Sequence, residues 1–211
     1  MSGFNINELL LWLPAVIIAL TFHEYAHGKV ADWLGDPTPR YQGRLTLNPV
    51  VHLDPIGFLL LLVTHFGWAK PVQVNPLNFR GDRSKGMMLV ASAGPLMNLL
   101  VAFTSALIKS LAIPEGTTPN FYITAILDGV IFINIYLALF NLIPVPPLDG
   151  SKILAGLLPS SELIYQLERY GTIILILLIF TNIVGIVLSP IASWLYNFFT
   201  IITRFIAGPF F

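Results

Sequence analysis

The 211-residue sequence contains no cysteine. Disulfides and thiolate metal ligands are therefore excluded, and any metal must be held by His, Asp or Glu. Charge is scarce as well. Only 10% of residues are charged, against about 25% in a soluble domain. The formal net charge is zero, so bulk electrostatics point to no nucleic-acid partner. No Lys or Arg precedes the first apolar run, which argues against a cleaved signal peptide. Internal repeats and low-complexity tails are absent too. What is present is apolar: 55% of residues are hydrophobic. This composition implies a multi-pass membrane protein, most simply one domain over residues 1–211. Its core would cover about 7–155, with C-terminal helices at about 160–207.

The first apolar segment, 7–31, is long enough to cross a bilayer at about 1.5 Å per residue. It carries His23-Glu24-Tyr25-Ala26-His27. On a helix, His23 and His27 lie one turn apart on one face. That spacing suits two ligands of one Zn²⁺, with Glu24 placed as general base. Three ionisable groups in an apolar span cost several kcal/mol unless partnered or used. Lys29, Arg40 and Arg44 follow the motif, which places that end in the cytoplasm.

Residues 41–47 and 71–75 alternate in polarity and suggest two short strands. Between them, 54–68 is apolar but too short for a comfortable crossing. Basic residues on both sides of it favour a re-entrant or interfacial segment. Residues 86–113 should cross outward, interrupted at Gly94-Pro95. Residues 121–143 should return inward, carrying Asp128 near the start, then Asn134 and Asn141 on one face. Residues 160–170 suggest an amphipathic connection, and 172–188 a further span broken by Ser189-Pro190. If 191–207 crosses back, Arg204 lies inside. The expected fold is thus an all-α polytopic membrane protein. It has about 5–6 transmembrane helices and a short re-entrant or β-strand element between the first two core helices.

A catalytic zinc site needs a third protein ligand. His52, His65, Asp54, Asp128 and Asp149 are the candidates. Depth favours Asp149, which follows an inward-running span in a proline-rich turn, while His52 and Asp54 stay open. His52 could instead be a gate or a residue that orients a ligand.

Two further stretches accompany the histidine motif. They are Asn141-Leu142-Ile143-Pro144-Val145-Pro146-Pro147-Leu148-Asp149-Gly150 and Gly94-Pro95-Leu96-Met97-Asn98. With Gly43-Arg44-Leu45-Thr46-Leu47-Asn48-Pro49 and His52-Leu53-Asp54-Pro55-Ile56-Gly57, the sequence resembles the site-2 protease family of intramembrane zinc metalloproteases. The likeness covers roughly 15–155 and is closest to small prokaryotic members, which implies a prokaryotic cell membrane. It implies one Zn²⁺ per chain on His23, His27 and Asp149, with Glu24 as base. It also implies that Asn141 contacts substrate near the scissile bond, and Asn98 is placed with it. A PDZ-like or cystathionine-synthase-like regulatory domain would not fit in this length. The expected activity is hydrolysis of peptide bonds within or near transmembrane segments of membrane-protein substrates, close to the cytoplasmic face. Val72, Gln73 and Val74 would line an edge that pairs with unwound substrate. A metal transporter or non-proteolytic metal-binding protein is the alternative. It would need ligands spread along a path open to both faces.

Overall fold

The computed structural model describes residues 6–64, 67–113, 120–158 and 162–210. Eight α-helices account for most of them. They are α1 (Ile6–Trp33), α2 (Thr38–Tyr41), α3 (Pro55–Thr64), α4 (Arg83–Ala112), α5 (Phe121–Asn141), α6 (Asp149–Leu157), α7 (Glu162–Phe180) and α8 (Ile183–Ala207). Four of these, α4, α5, α7 and α8, are long and apolar enough to cross a membrane. Helix α1 has 28 residues and mixes its apolar run with the histidine motif.

Helices α4 and α5 start where a side chain satisfies an orphan N–H. Asp82 accepts from the Lys85 backbone at 2.8 Å and begins α4. Asn120 accepts from the Tyr122 backbone at 2.9 Å and begins α5. The bundle centre is built from small residues against branched ones. Ala102 and Ala106 of α4 and Ala192 of α8 pack on Ile131 and Ile135 of α5. Small side chains let helices approach closely where lipid offers no hydrophobic driving force between them. Large apolar residues such as Leu59, Leu96, Ile186 and Phe205 stay exposed around the bundle, as a lipid-facing surface requires.

Contacts fix the helix directions. His27 meets Val90 and His23 meets Asn98, so α1 and α4 are antiparallel. Asn98 meets Asn134 and Lys109 meets Asp128, so α5 is antiparallel to α4 as well. Helix α8 runs with α4, since Tyr196 reaches Lys109 and Thr203 reaches Ser110. The C-terminal end of α8, with Arg204, therefore lies at the end away from the histidines. The expectation that a crossing 191–207 would return Arg204 to the motif's side is corrected by this.

Other boundaries differ from expectation. Helix α4 continues through Gly94-Pro95. A proline removes one helical hydrogen bond, and buried packing on both sides holds the helix across it. The break expected at Ser189-Pro190 lies instead at Thr181-Asn182. Asn182 adopts φ 55°, a left-handed conformation that asparagine tolerates. Residues from Glu162 onward belong to α7 rather than to a separate connection.

Neither expected strand forms. Among the described residues the only β pairing is one isolated bridge, Leu53 with Ala69. Residues 38–41 close a helical turn, and Gly43 at φ 66° turns the chain away. Residues 71–75 alternate as expected, with Val72 and Val74 half-buried and Pro71 and Gln73 exposed. Their backbone groups, however, find side chains instead of a second strand. Asp36 accepts from the Asn75 backbone at 2.7 Å, and Glu24 accepts from the Val72 backbone at 2.9 Å. Burial alone would raise the Asp36 carboxyl, but hydrogen bonds from Thr38, Asn75 and Asn78 outweigh it and hold the carboxyl below its ordinary value.

Candidate metal centre and active site

Helical spacing puts His23 and His27 on the face of α1 that meets α4 and α5. Both are buried. The turn 142–148 then delivers Asp149, the first residue of α6, to the same place. His23 Nε2 lies 3.2 Å from Asp149 Oδ2, and His27 Nε2 lies 3.0 Å from it. The two Nε2 atoms are 3.0 Å apart.

The far side of each ring decides the proton positions. Asn98 donates its amide to Ala19 O at 3.0 Å and to Asn134 Oδ1 at 2.8 Å. Its Oδ1 must therefore accept, and His23 Nδ1–H donates to it at 2.6 Å. His27 Nδ1–H donates to Val90 O at 2.7 Å. With Nδ1 protonated on both rings, both Nε2 atoms present lone pairs. Asp149 Oδ2 is buried and has no hydrogen-bond donor. Three bare acceptors thus converge at about 3 Å, an arrangement that repels itself unless a cation lies among them. Tetrahedral zinc with bonds of about 2.05 Å spaces its ligands by about 3.3 Å, close to what is seen. The donor set is one neutral imidazole pair and one carboxylate, so the residues fit a zinc ion. Among the described residues this is the one group of three or more such side chains able to hold a metal.

Gly94 of α4 makes the approach possible. A Cβ there would meet His27 Nε2 at 2.5 Å and His23 Cε1 at 2.6 Å. Glu24 points off the histidine face and is half-buried, its Oε2 bound to the Val72 N–H.

The other candidate ligands are occupied elsewhere. Asp54 caps α3 by accepting from the backbones of Ile56 and Gly57. Asp128 pairs with Lys109 and Tyr196. His52 is fully buried and donates from Nε2 to Thr46 O at 2.8 Å, which ties it to its own loop. His65 lies outside the described residues. Asn98, grouped with the substrate contacts from its motif, is 0% exposed and sits behind His23. Asn141 is half-buried and donates to Leu137 O of its own helix at 3.0 Å. Gln73 accepts from Gln42 at 2.7 Å at the surface. Val74 packs beside Ala31, Phe79 and Val90.

A peptidase family model, family M50, matches residues 105–183. YwhC of Bacillus subtilis, a zinc metalloprotease by name, is 42% identical over 84% of this chain and 84% of its own length. The chain belongs to peptidase family M50. MJ0611 of Methanocaldococcus jannaschii, similarly named, is 30% identical over 72% of this chain and 73% of its own. Rip2 of Mycolicibacterium smegmatis is 24% identical over 92% and 75%. No solved structure matches the chain significantly. Membership of M50 makes this chain a peptidase, and its long apolar helices make it a multi-pass membrane protein.

The residues that reading along the chain missed are those behind the histidines. Asn134 was legible as a polar residue in an apolar helix, but not as the acceptor that orients Asn98. Removing this support should loosen the metal. Asn98→Ala leaves His23 Nδ1 without an acceptor, and loss of such an outer partner typically weakens metal binding 10–100-fold. Zinc titration against a competing chelator would show it. Unchanged affinity would mean that His23 is held by packing alone.

Proposed function

We propose that this M50 peptidase is an intramembrane zinc metalloprotease that cuts membrane proteins within or near their transmembrane segments. The observation that carries this reading is the convergence of His23, His27 and Asp149 inside a bundle of membrane-length helices, with Glu24 next to His23 in the chain. Names of the relatives support the zinc. A bound zinc would act as a Lewis acid, acidifying water and polarising the scissile carbonyl. His23 and His27 hold their lone pairs inward because Asn98 and Val90 fix their protons outward. Glu24 takes the proton of the attacking water and delivers it to the leaving amine nitrogen. Asn141 would contact the substrate backbone near the cut.

Orientation follows from basic residues. Lys29, Arg40, Arg44, Lys70, Arg80, Arg83, Lys85 and Lys152 belong to the segments at the histidine end, and Lys109 and Arg204 lie at the other. The positive-inside rule then puts the site towards the cytoplasm of a prokaryotic cell membrane. Helix α3, ten residues long, spans about 15 Å, half a hydrocarbon core, and we read it as re-entrant. A transmembrane substrate hides its carbonyls in helical hydrogen bonds, so it must unwind locally before attack. Within 71–75 the extended backbone at Gln73 and Val74, whose N–H groups neither Glu24 nor Asp36 takes, is what that unwound stretch would meet. A transporter would spread its ligands along a path, whereas these three share one point.

The test is comparative proteomics of membrane fractions from cells holding the active protein or Glu24→Gln. A membrane-protein fragment released to the cytoplasm only with active protein is expected. Identical fragment patterns would overturn the reading. A second expectation separates the two aspartates. Asp149→Ala should lose zinc and activity together, while Asp128→Ala should keep zinc, because Asp128 is bound to Lys109 at the far end. Metal analysis with the opposite order would remove Asp149 from the site.

A further inference from the structure

Arg44 is 4% exposed, and a buried guanidinium is seldom left without a carboxylate. None lies within ion-pair distance among the described residues. Its Nη1 donates to Val51 O and its Nη2 to Pro71 O at 3.3 Å. It therefore clamps two loops together by their carbonyls.

The second loop matters for chemistry. Pro71 directly precedes Val72, whose N–H donates to Glu24 Oε2 at 2.9 Å. The same loop is pinned on either side. Lys70 N–H donates to His52 O at 2.8 Å, and Asn75 N–H donates to Asp36 Oδ2 at 2.7 Å. Residues 70–75 thus form a strap across Glu24, tied down before and after its one contact with the carboxylate. The strap and the Arg44 loop both rest on α1 next to the motif. A Cβ on Gly28 would lie 3.2 Å from Leu45 and 3.5 Å from Val72.

We propose that Arg44 is a positioning residue for Glu24, acting through the Pro71 carbonyl and the Val72 N–H. This rests on the reading of Glu24 as the proton carrier. With the Val72 amide fixed, one carboxylate oxygen is held and the other is left to face the substrate. Without Arg44, the Pro71–Val72 peptide is free to rotate, and the carboxylate loses its orientation. Geometry of this kind governs catalysis steeply, since misplacement of about 1 Å can cost 10²-fold. The bland alternative is that Arg44 only holds the loops together for folding. It predicts loss of zinc and of folded protein in step with activity.

The experiment uses the full zinc-loaded chain in detergent, with quenched fluorescent casein as an unfolded probe and amide hydrogen exchange as a second readout. Arg44→Gln should speed exchange at residues 70–75 at least tenfold. It should lower kcat on casein about tenfold or more, with KM and zinc content unchanged. Arg44→Lys, which keeps the charge but can reach fewer carbonyls, should fall between. Arg83→Gln, exposed at the start of α4, should match wild type. Unchanged exchange at 70–75 in Arg44→Gln, unchanged kcat, or zinc loss parallel to activity would each overturn the proposal. If Arg44→Gln does not fold, Arg44→Lys is read in the same way; normal exchange and normal kcat there overturn it. Glu24→Gln run alongside separates the two readings. If it cleaves like wild type, the role of Glu24 fails, whereas failure of the Arg44 role alone leaves Glu24→Gln inactive.

Discussion

Glu24→Gln should retain a full complement of zinc and lose proteolysis by 10²–10⁴-fold, the range typical of a positioned general acid–base. The structure explains why the substitution isolates chemistry from folding. Glu24 is no member of the converging triad, whose atoms come from His23, His27 and Asp149. Among the described residues it makes one hydrogen bond, accepted from the Val72 N–H at 2.9 Å. A glutamine carbonyl oxygen can accept the same bond, so the strap has no reason to move. What glutamine lacks is a site for the proton in transit. Zinc analysis and cleavage assays on the same preparation check this. Cleavage near the wild-type rate would mean that another group carries the proton.

How far the sequence could be read depended on whether a feature is local. The histidine pair was legible because residues four apart on a helix share a face, whatever surrounds them. Asp149 emerged from depth as one candidate among several. The family resemblance then singled it out, but how its carboxylate reaches the histidines depends on the turn 142–148 and the start of α6, which only tertiary packing fixes. Polarity alternation in 71–75 was correctly seen, but alternation says nothing of a partner. Pairing there fails because Asp36 and Glu24 take the N–H groups that a neighbouring strand would need. Direction was invisible too. Hydropathy is the same read either way, so the course of 191–207 stayed open, with Arg204 inside only if the segment crossed back; Tyr196 and Thr203 tie it instead to Lys109 and Ser110. Asn98 shows a further gap. A polar residue in an apolar helix can serve a substrate or a neighbouring side chain, and spacing alone does not separate these. Its three bonds, to His23, Ala19 and Asn134, do.

Gly94→Ala should abolish high-affinity zinc binding, even though a propensity argument predicts a gain. Glycine in a helix interior is less stable than alanine by about 0.5–1 kcal/mol, and Gly94 lies inside the 30-residue α4. On that ground alone the variant would be neutral or slightly stabilised. The site imposes an opposite and larger effect. The new methyl would stand 2.5 Å from His27 Nε2 and 2.6 Å from His23 Cε1, well inside the contact distance of about 3.5–4.0 Å. The obstructed atoms are a ligand nitrogen and its neighbour's ring edge, so the strain falls on the metal centre. Neither ring is free to swing away. His23 is held by Asn98 at 2.6 Å and His27 by Val90 O at 2.7 Å. Moving either ring breaks its hydrogen bond or its approach to Asp149, and a loss of at least a hundredfold in zinc affinity is expected, about 2.8 kcal/mol. Proteolysis should fall with the metal. Thermal unfolding of the metal-free proteins gives the decisive control. Equal or higher stability of Gly94→Ala, together with lost zinc, locates the damage at the site. Wild-type zinc affinity in this variant would show that α4 shifts to make room, and the close packing of Gly94 on the histidines would then carry no function.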